Sequence, residues 1–188
     1  MEYRRGIMKI SLAENLRALM VKMLFDKITI KRICDETGVI RATFYNYFED
    51  KYDCLNYIAH HDIVENNIMK FNKGDIFGCI EDILIMIDNN RPFYKAAYNN
   101  VTGQNSFEDM VREQFKDLEM RYLEAHRKPT FLAKYDNEVL ARYYAESFAY
   151  IFKMYVFQEY SYSKDEVMKL IKDLLEHSFI DFVNQVSK

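Results

Sequence analysis

Arg41, Thr43, Tyr45, Asn46 and Tyr47 crowd into one short segment, with Ala42 between the first two and Lys51 close behind. This is a donor-rich set, small at its start and then studded with rings and hydroxyls. Such side chains on one helix suit a DNA groove. A guanidinium can grip the two acceptors of guanine, and a carboxamide can pair with adenine. Hydroxyls and an ammonium suit phosphate oxygens, which fix register without reading sequence. Arg41 and Asn46 are therefore the candidate base readers. Thr43, Tyr45 and Lys51 are candidate phosphate contacts. Lys31, shortly before, joins the set as a further cation. Phe44 and Phe48 lie one turn apart and share the opposite, inward face.

Other chemistries find little support. There is no glycine loop to cradle phosphate, no His/Glu spacing for zinc, and no nucleophile beside a base. His60 and His61 are adjacent and point about 100° apart on a helix, a poor arrangement for one metal ion. His126 and His177 stand alone. Cys34, Cys54 and Cys79 are too widely spaced for a disulfide framework or a zinc site and read as buried thiols. The expectation is a protein that is not an enzyme and needs no cofactor or metal.

Composition bears on what must position the groove readers. The chain has 188 residues, 49% hydrophobic and 15% aromatic, with only 5 Gly and 2 Pro (Pro92 and Pro129). So few turn residues argue for long helices. Residues 1–51 hold ten Lys/Arg against seven Asp/Glu, net +3, while the whole chain is net −3. A basic N-terminal third on an acidic body orients a protein toward a phosphate backbone. MEYRRGIMK lacks the apolar run of a signal peptide, and Ile83–Ile87 is far too short to span a membrane. A cytoplasmic protein with no membrane partner is expected.

Residues 1–9 read as a loose arm, and Ser11 as the cap of a first helix with apolar residues at Leu12, Leu16, Leu19, Met20 and Met23. Thr29 caps a short second helix bearing Ile30 and Ile33, which Gly38 stops. Ile40–Tyr47 forms a third. Two short helices joined by a glycine turn make a helix-turn-helix. Val39 would fill the space between them. A fourth helix opens near Asp50 and runs toward Phe71. About five helical stretches follow, including Phe93–Val101, Asn137–Tyr160 and a last one from Ser163. The last carries a stripe of Val167, Leu170, Ile171, Leu174, Leu175, Phe179, Phe182 and Val186. Ser163 three residues before Glu166 predicts a capping box. The expected fold is all-α, about nine helices: a three-helix DNA-binding domain over 1–50 and a helical bundle over 51–188, with the 51–71 helix as connector.

The stretch ITIKRICDETGVIRATFYNYFEDKYDCL resembles the N-terminal DNA-binding domain of TetR family transcription regulators, through Thr29, Ile33, Gly38, Val39, Thr43, Tyr45, Phe48, Lys51 and Leu55. The resemblance implies a homodimer that binds a palindromic double-stranded DNA operator, commonly as a repressor released by a small molecule. It implies phosphate contacts at Thr29, Thr43, Tyr45, Tyr47 and Lys51 and base contacts at Arg41, Ala42 and Asn46. The chain departs from the family at Ile40, where Ser or another N-cap is usual; isoleucine cannot cap. The C-terminal RYYAESFAYIFKMYVFQEYSY is similar to a subgroup of the family that includes activators of dihydroxyacetone kinase operons, some of which need a protein partner. The alternative reading is therefore a co-regulator that acts through such a partner without binding DNA alone.

In the bundle, Ala141, Ala145 and Ala149 recur every four residues, a small-residue stripe that another helix can approach closely. With Leu170, Leu174 and Phe182 it is the expected dimer interface. Phe93, Tyr94, Tyr98, Phe115, Tyr122, Tyr144, Phe148 and Phe152 are the expected lining of a pocket for an apolar or aromatic effector, with tyrosine hydroxyls as polar anchors.

Overall fold

The computed structural model describes residues 2–128 and 134–184, which form helices and turns and no strand. Helix α1 (Glu2–Lys22) is followed by a 3-10 turn at Phe25–Lys27, then α2 (Ile30–Thr37), α3 (Arg41–Tyr45) and α4 (Lys51–His60). A π-helical turn at His61–Glu65 leads into the short α5 (Ile68–Asn72). The body is built from α6 (Ile76–Asn100), α7 (Phe107–His126), α8 (Asn137–Phe157), α9 (Lys164–Glu176) and α10 (Phe179–Asn184). No helix among the described residues is long and apolar enough to cross a membrane.

Several starts and stops follow from local chemistry. The Thr29 hydroxyl accepts from the Arg32 N–H at 3.2 Å, capping α2. Gly38 ends that helix at φ 75, a left-handed conformation that costs glycine nothing. Asp50 caps α4 by accepting from the N–H groups of Tyr52 and Asp53. Ser163 and Glu166 form the reciprocal capping box that opens α9. Ile40 stands at the N-cap of α3 and makes no side-chain bond, leaving amides of the first turn without a side-chain acceptor.

Three expectations are corrected. The N-terminal stretch is helical from Glu2, so Ser11 lies inside α1 and caps nothing. Lys9 helps explain this, because its ammonium sits 4.0 Å from the centre of the Tyr57 ring and ties the early turns to α4. Phe93–Val101 is not a separate helix but the second half of α6, which kinks at Asn90 (φ −127) two residues before Pro92. Proline cannot donate to the carbonyl one turn back, so the helix bends there. The last stripe is split into α9 and α10 at His177, whose backbone is extended. Val186 lies outside the described residues.

One connected apolar core runs from Leu12 to Ile171. Helices α7 and α8 are antiparallel and make the most extensive helix pair. Lys153–Glu108, Arg112–Glu146 and Lys116–Glu138, each at 2.7 Å, lace the pair together. Helix α9 seats Val167 and Ile171 in the core, and Lys164 reaches Glu81 on α6 at 2.9 Å.

Candidate nucleic-acid interface

The small N-terminal unit holds α3 by its aromatic face. Phe44 is fully buried and its ring lies 5.6 Å from Phe48, which in turn lies 5.6 Å from Tyr57 on α4. Asn15 donates to the Thr37 hydroxyl at 3.1 Å, and that hydroxyl donates to the Ile33 carbonyl at 2.7 Å, so α1 fixes the end of α2. With Phe44 and Phe48 turned inward, Arg41, Ala42, Tyr45 and Asn46 are all exposed on the outer side of α3. Tyr45 is 57% exposed and meets Phe44 edge-on. Tyr47 and Thr43 are half-buried, and Tyr47 packs against the core. Lys31 is exposed on α2 and paired with Asp35 at 2.7 Å.

Lys51 departs from the expectation of an ammonium free for phosphate. It turns back to donate to the carbonyls of Phe25 at 2.8 Å and Ile28 at 3.1 Å, and stands 4.4 Å from the centre of the Phe25 ring. Burial lowers its pKa, and Asp26 and Asp50 counter this. The Phe25 carbonyl already accepts from the Ile28 N–H at 3.0 Å, and the ammonium adds a charged donor beside it.

The expected effector lining is mostly closed. Phe93, Tyr94, Tyr98, Phe115 and Phe152 are buried and interlock, edge-to-face except for the tilted Tyr98–Phe152 pair, with ring centres 5.0–6.3 Å apart. Phe115 stacks on Phe148 at 5.9 Å. The space left between Phe115, Phe148 and Phe152 on one side and Ile80, Ile83 and Leu84 on the other is about 20 Å³, room for about one water molecule. Tyr122 lies apart, against Phe71 and His126, and Tyr144 is exposed on α8 beside Tyr143. These eight residues therefore do not line one open cavity. Most of them are core, because rings at helical spacing fill the bundle they face.

The expected dimer stripe is also used within the chain. Ala141, Ala145 and Ala149 are buried on α8, whose principal neighbour is α7. Close helix approach is what small side chains permit, and α7 takes it. The outward face of α8 instead carries Val139, Tyr143 and Tyr150, all more than half exposed. Leu174 and Phe182 are exposed on α9 and α10. Between α8 and α9 lies a groove of about 580 Å³ lined by Ile151, Met154, Leu170, Leu174, Tyr150, Tyr160 and Tyr162, with Glu146 and Ser147 at its edge.

Behind the small unit, a buried polar cluster joins three elements. Arg17 of α1 donates through Nη2 to both Asp62 oxygens, at 3.0 and 2.9 Å. Tyr94 of α6 donates its hydroxyl to Asp62 and also contacts the Met86 sulfur. The Arg17 guanidinium lies 4.6 Å from the Phe93 ring centre. Burial opposes the charge on Arg17, but Asp62 and Tyr94 more than offset it and raise its pKa. Burial likewise acts to raise the Asp62 pKa, and hydrogen bonding from His61 together with Arg17 outweighs it, so the carboxyl titrates below its ordinary range. Sequence reading gave Arg17 and Asp62 no role. A signal was present, since Arg17 falls among the buried Ala13, Leu16 and Met20, and Asp62 four residues after the buried Ile58.

Residues 74–177 match a protein family described as transcriptional regulator C-terminal region, of TetR type. The HTH-type dhaKLM operon transcriptional activator DhaS of Lactococcus lactis subsp. lactis (strain IL1403) is 26% identical over 110 residues. That alignment takes in 57% of this chain and 56% of the relative, so the chain spans little more than half the relative's length. Among solved structures, the dihydroxyacetone kinase operon activator DhaS superposes with a TM-score of 0.62 at 20% identity, covering 90% of this chain and 94% of that one. The fatty acid degradation regulator FadR from Bacillus halodurans superposes with a TM-score of 0.63 at 13% identity, covering 91% and 95%. At those identities the likeness is one of fold.

Proposed function

The chain belongs to the TetR-type transcriptional regulators, whose C-terminal region it matches over residues 74–177, and on that premise we propose that it is a ligand-responsive regulator that binds a palindromic DNA operator as a homodimer. The observation that carries the reading is the outer face of α3. It follows a glycine turn and exposes Arg41, Ala42, Tyr45 and Asn46 together, with their backs fixed by Phe44 and Phe48. A helix so held can enter the major groove and place side chains on base edges. The basic N-terminal third supports it. Residues 1–50 do the reading in this proposal, 51–188 sense and dimerise, and the 51–71 segment connects them.

The outward Val139, Tyr143 and Tyr150 of α8, with Leu174 and Phe182, support a two-fold partner on that side. A palindromic site needs such symmetry. The effector, an apolar or aromatic small molecule, rests on the family and on the aromatic bundle rather than on an open cavity. Repression is the sign expected from the wider family. The lactococcal relative is a transcriptional activator, which favours the opposite sign, and a promoter fusion separates the two.

The test is selection from a random duplex pool at moderate salt. Recovery of a palindromic consensus supports the proposal. Recovery of no sequence by a folded, dimeric protein rejects it in favour of a co-regulator that needs a partner. A thermal-shift screen with small apolar compounds tests the effector.

A further inference from the structure

Helix α3 is five residues long and begins at Ile40, which offers no side-chain acceptor to its first amides. A helix that short has little stability of its own and keeps its shape through what it packs against. Its far end turns on one atom. The N–H groups of Tyr47 and Phe48 both bond to the Phe44 carbonyl, at 2.9 and 3.0 Å. The rings of Phe44 and Phe48 are buried in the apolar core. Apolar burial holds a ring inside but is non-directional, so it leaves the angle of α3 to other contacts.

Helix α1 supplies direction at two points. Asn15 donates to the Thr37 hydroxyl at 3.1 Å and so holds the end of α2. Lys9 stands six residues earlier, about 120° around the helix, and reaches the other side of the small unit. Its ammonium lies 4.0 Å from the centre of the Tyr57 ring and 5.6 Å from that of Phe48. Those two rings are 5.6 Å apart and tilted by 49°, so one cation meets both. Among the described residues Lys9 makes no ion pair and no hydrogen bond; the rings are its partners. A half-buried ammonium is drawn to the negative faces of aromatic rings, and more strongly as water is excluded.

We propose that Lys9 is a positioning residue for base reading: its ammonium clamps the Phe48 ring to Tyr57 of α4 and so fixes the angle at which α3 presents Arg41, Tyr45 and Asn46. With α2 pinned through Asn15 and α3 through Phe48, α1 sets the crossing of the two short helices from behind. The clamp compensates for the missing cap at Ile40, because it tightens at its end a helix that has no side-chain cap at its start. That α3 reads DNA rests on the regulator reading; that Lys9 orders α3 does not.

The test uses the full chain, first without DNA and then with it. Lys9→Met keeps the apolar stem and removes the charge, and Lys9→Arg restores a cation over the rings. Lys22→Met removes the same charge from an exposed position at the end of α1. Without DNA, hydrogen exchange is followed at the backbone amides of α2 and α3. Lys9→Met is expected to speed exchange of the Tyr47 and Phe48 amides about three- to tenfold, the size of a cation–π contact, and to leave α2 at the parent rate. Lys9→Arg and Lys22→Met are expected to match the parent throughout. Parent rates at Tyr47 and Phe48 in Lys9→Met overturn the proposal, as does a Lys9→Arg chain that exchanges like Lys9→Met. Equal acceleration of α2 and α3 also overturns it, because the whole unit has then lost stability. Lys9→Gln carries the same expectations and replaces Lys9→Met if that variant does not fold. With DNA, binding is measured on single-base variants of the selected operator. Lys9→Met is expected to lower discrimination between them about three- to tenfold, with the parent's slope of log affinity against log salt. Unchanged discrimination overturns the proposal, and so does a slope smaller by about one, which places Lys9 on phosphate. Faster exchange confined to α3 in a protein that selects no DNA sequence upholds the clamp and removes the regulator reading alone.

Discussion

The Lys51 ammonium donates to the Phe25 carbonyl at 2.8 Å, bridging the start of α4 to the turn that ends the first helical segment. A side chain expected on phosphate is thus a structural cap. Two of its three donors are used inside the protein.

Lys51→Ala leaves those carbonyls without their charged donor. The expected loss of stability is about 1–2 kcal/mol by urea unfolding. The slope of log affinity against log salt for operator binding should stay that of the parent. A slope reduced by about one would place the ammonium on phosphate after all.

Ile40 is 72% exposed, and its backbone already has the extended geometry of an N-cap (φ −86, ψ 157). Ile40→Ser supplies the missing acceptor at little cost in burial. The expected gain is about 0.5–1 kcal/mol in thermal or urea unfolding. A loss would mean that the Ile40 side chain contributes packing.

Arg41→Ala and Tyr45→Ala should differ in kind. The first should relax preference at one base pair of each half-site, costing about 1–3 kcal/mol on the parent site and less on variants. The second should weaken binding to all sites alike. Binding to a panel of single-base operator variants distinguishes them.

Burial raises the Glu119 carboxyl from its usual 4.5 to about 7. Between those values the folded chain holds a proton that the unfolded chain has released, so stability falls as pH rises. Below the unfolded value there is no penalty, and above the folded value it is complete. Glu119→Gln should therefore stabilise by about 1–2 kcal/mol at pH 8, less than the full shift implies because the carboxyl keeps some contact with water. At pH 4 parent and variant should melt together.

Ala145 and Tyr143 are neighbours on α8 that should report different contacts. Ala145→Leu overpacks the seam with α7 and should cost about 1–3 kcal/mol in unfolding while leaving association intact. Tyr143→Glu should weaken self-association in light scattering and leave far-ultraviolet helicity unchanged. A dissociated but stable Ala145→Leu protein would restore the alanine stripe as a dimer contact.

The sequence by itself determined the features that depend on near neighbours. Helical type follows from apolar spacing and from scarce glycine and proline. Thr29, Asp50 and the Ser163–Glu166 pair announce starts because a cap acts over two or three residues. Gly38 announces a stop because only its own backbone must turn. The inward Phe44 and Phe48 were legible for the same reason, and with them the exposed face of α3. Only the tertiary structure decided what each face meets. A stripe of alanines says that some helix comes close, and α7 took the place expected for a second subunit. Aromatic rings at helical spacing say that something apolar is near, and they met one another. Arg17 and Asp62 stand 45 residues apart, and Lys51 finds its acceptors 26 and 23 residues upstream. Periodicity fixes the direction in which a side chain points from its own helix. The partner it finds depends on how all the helices share one core, and no local pattern carries that.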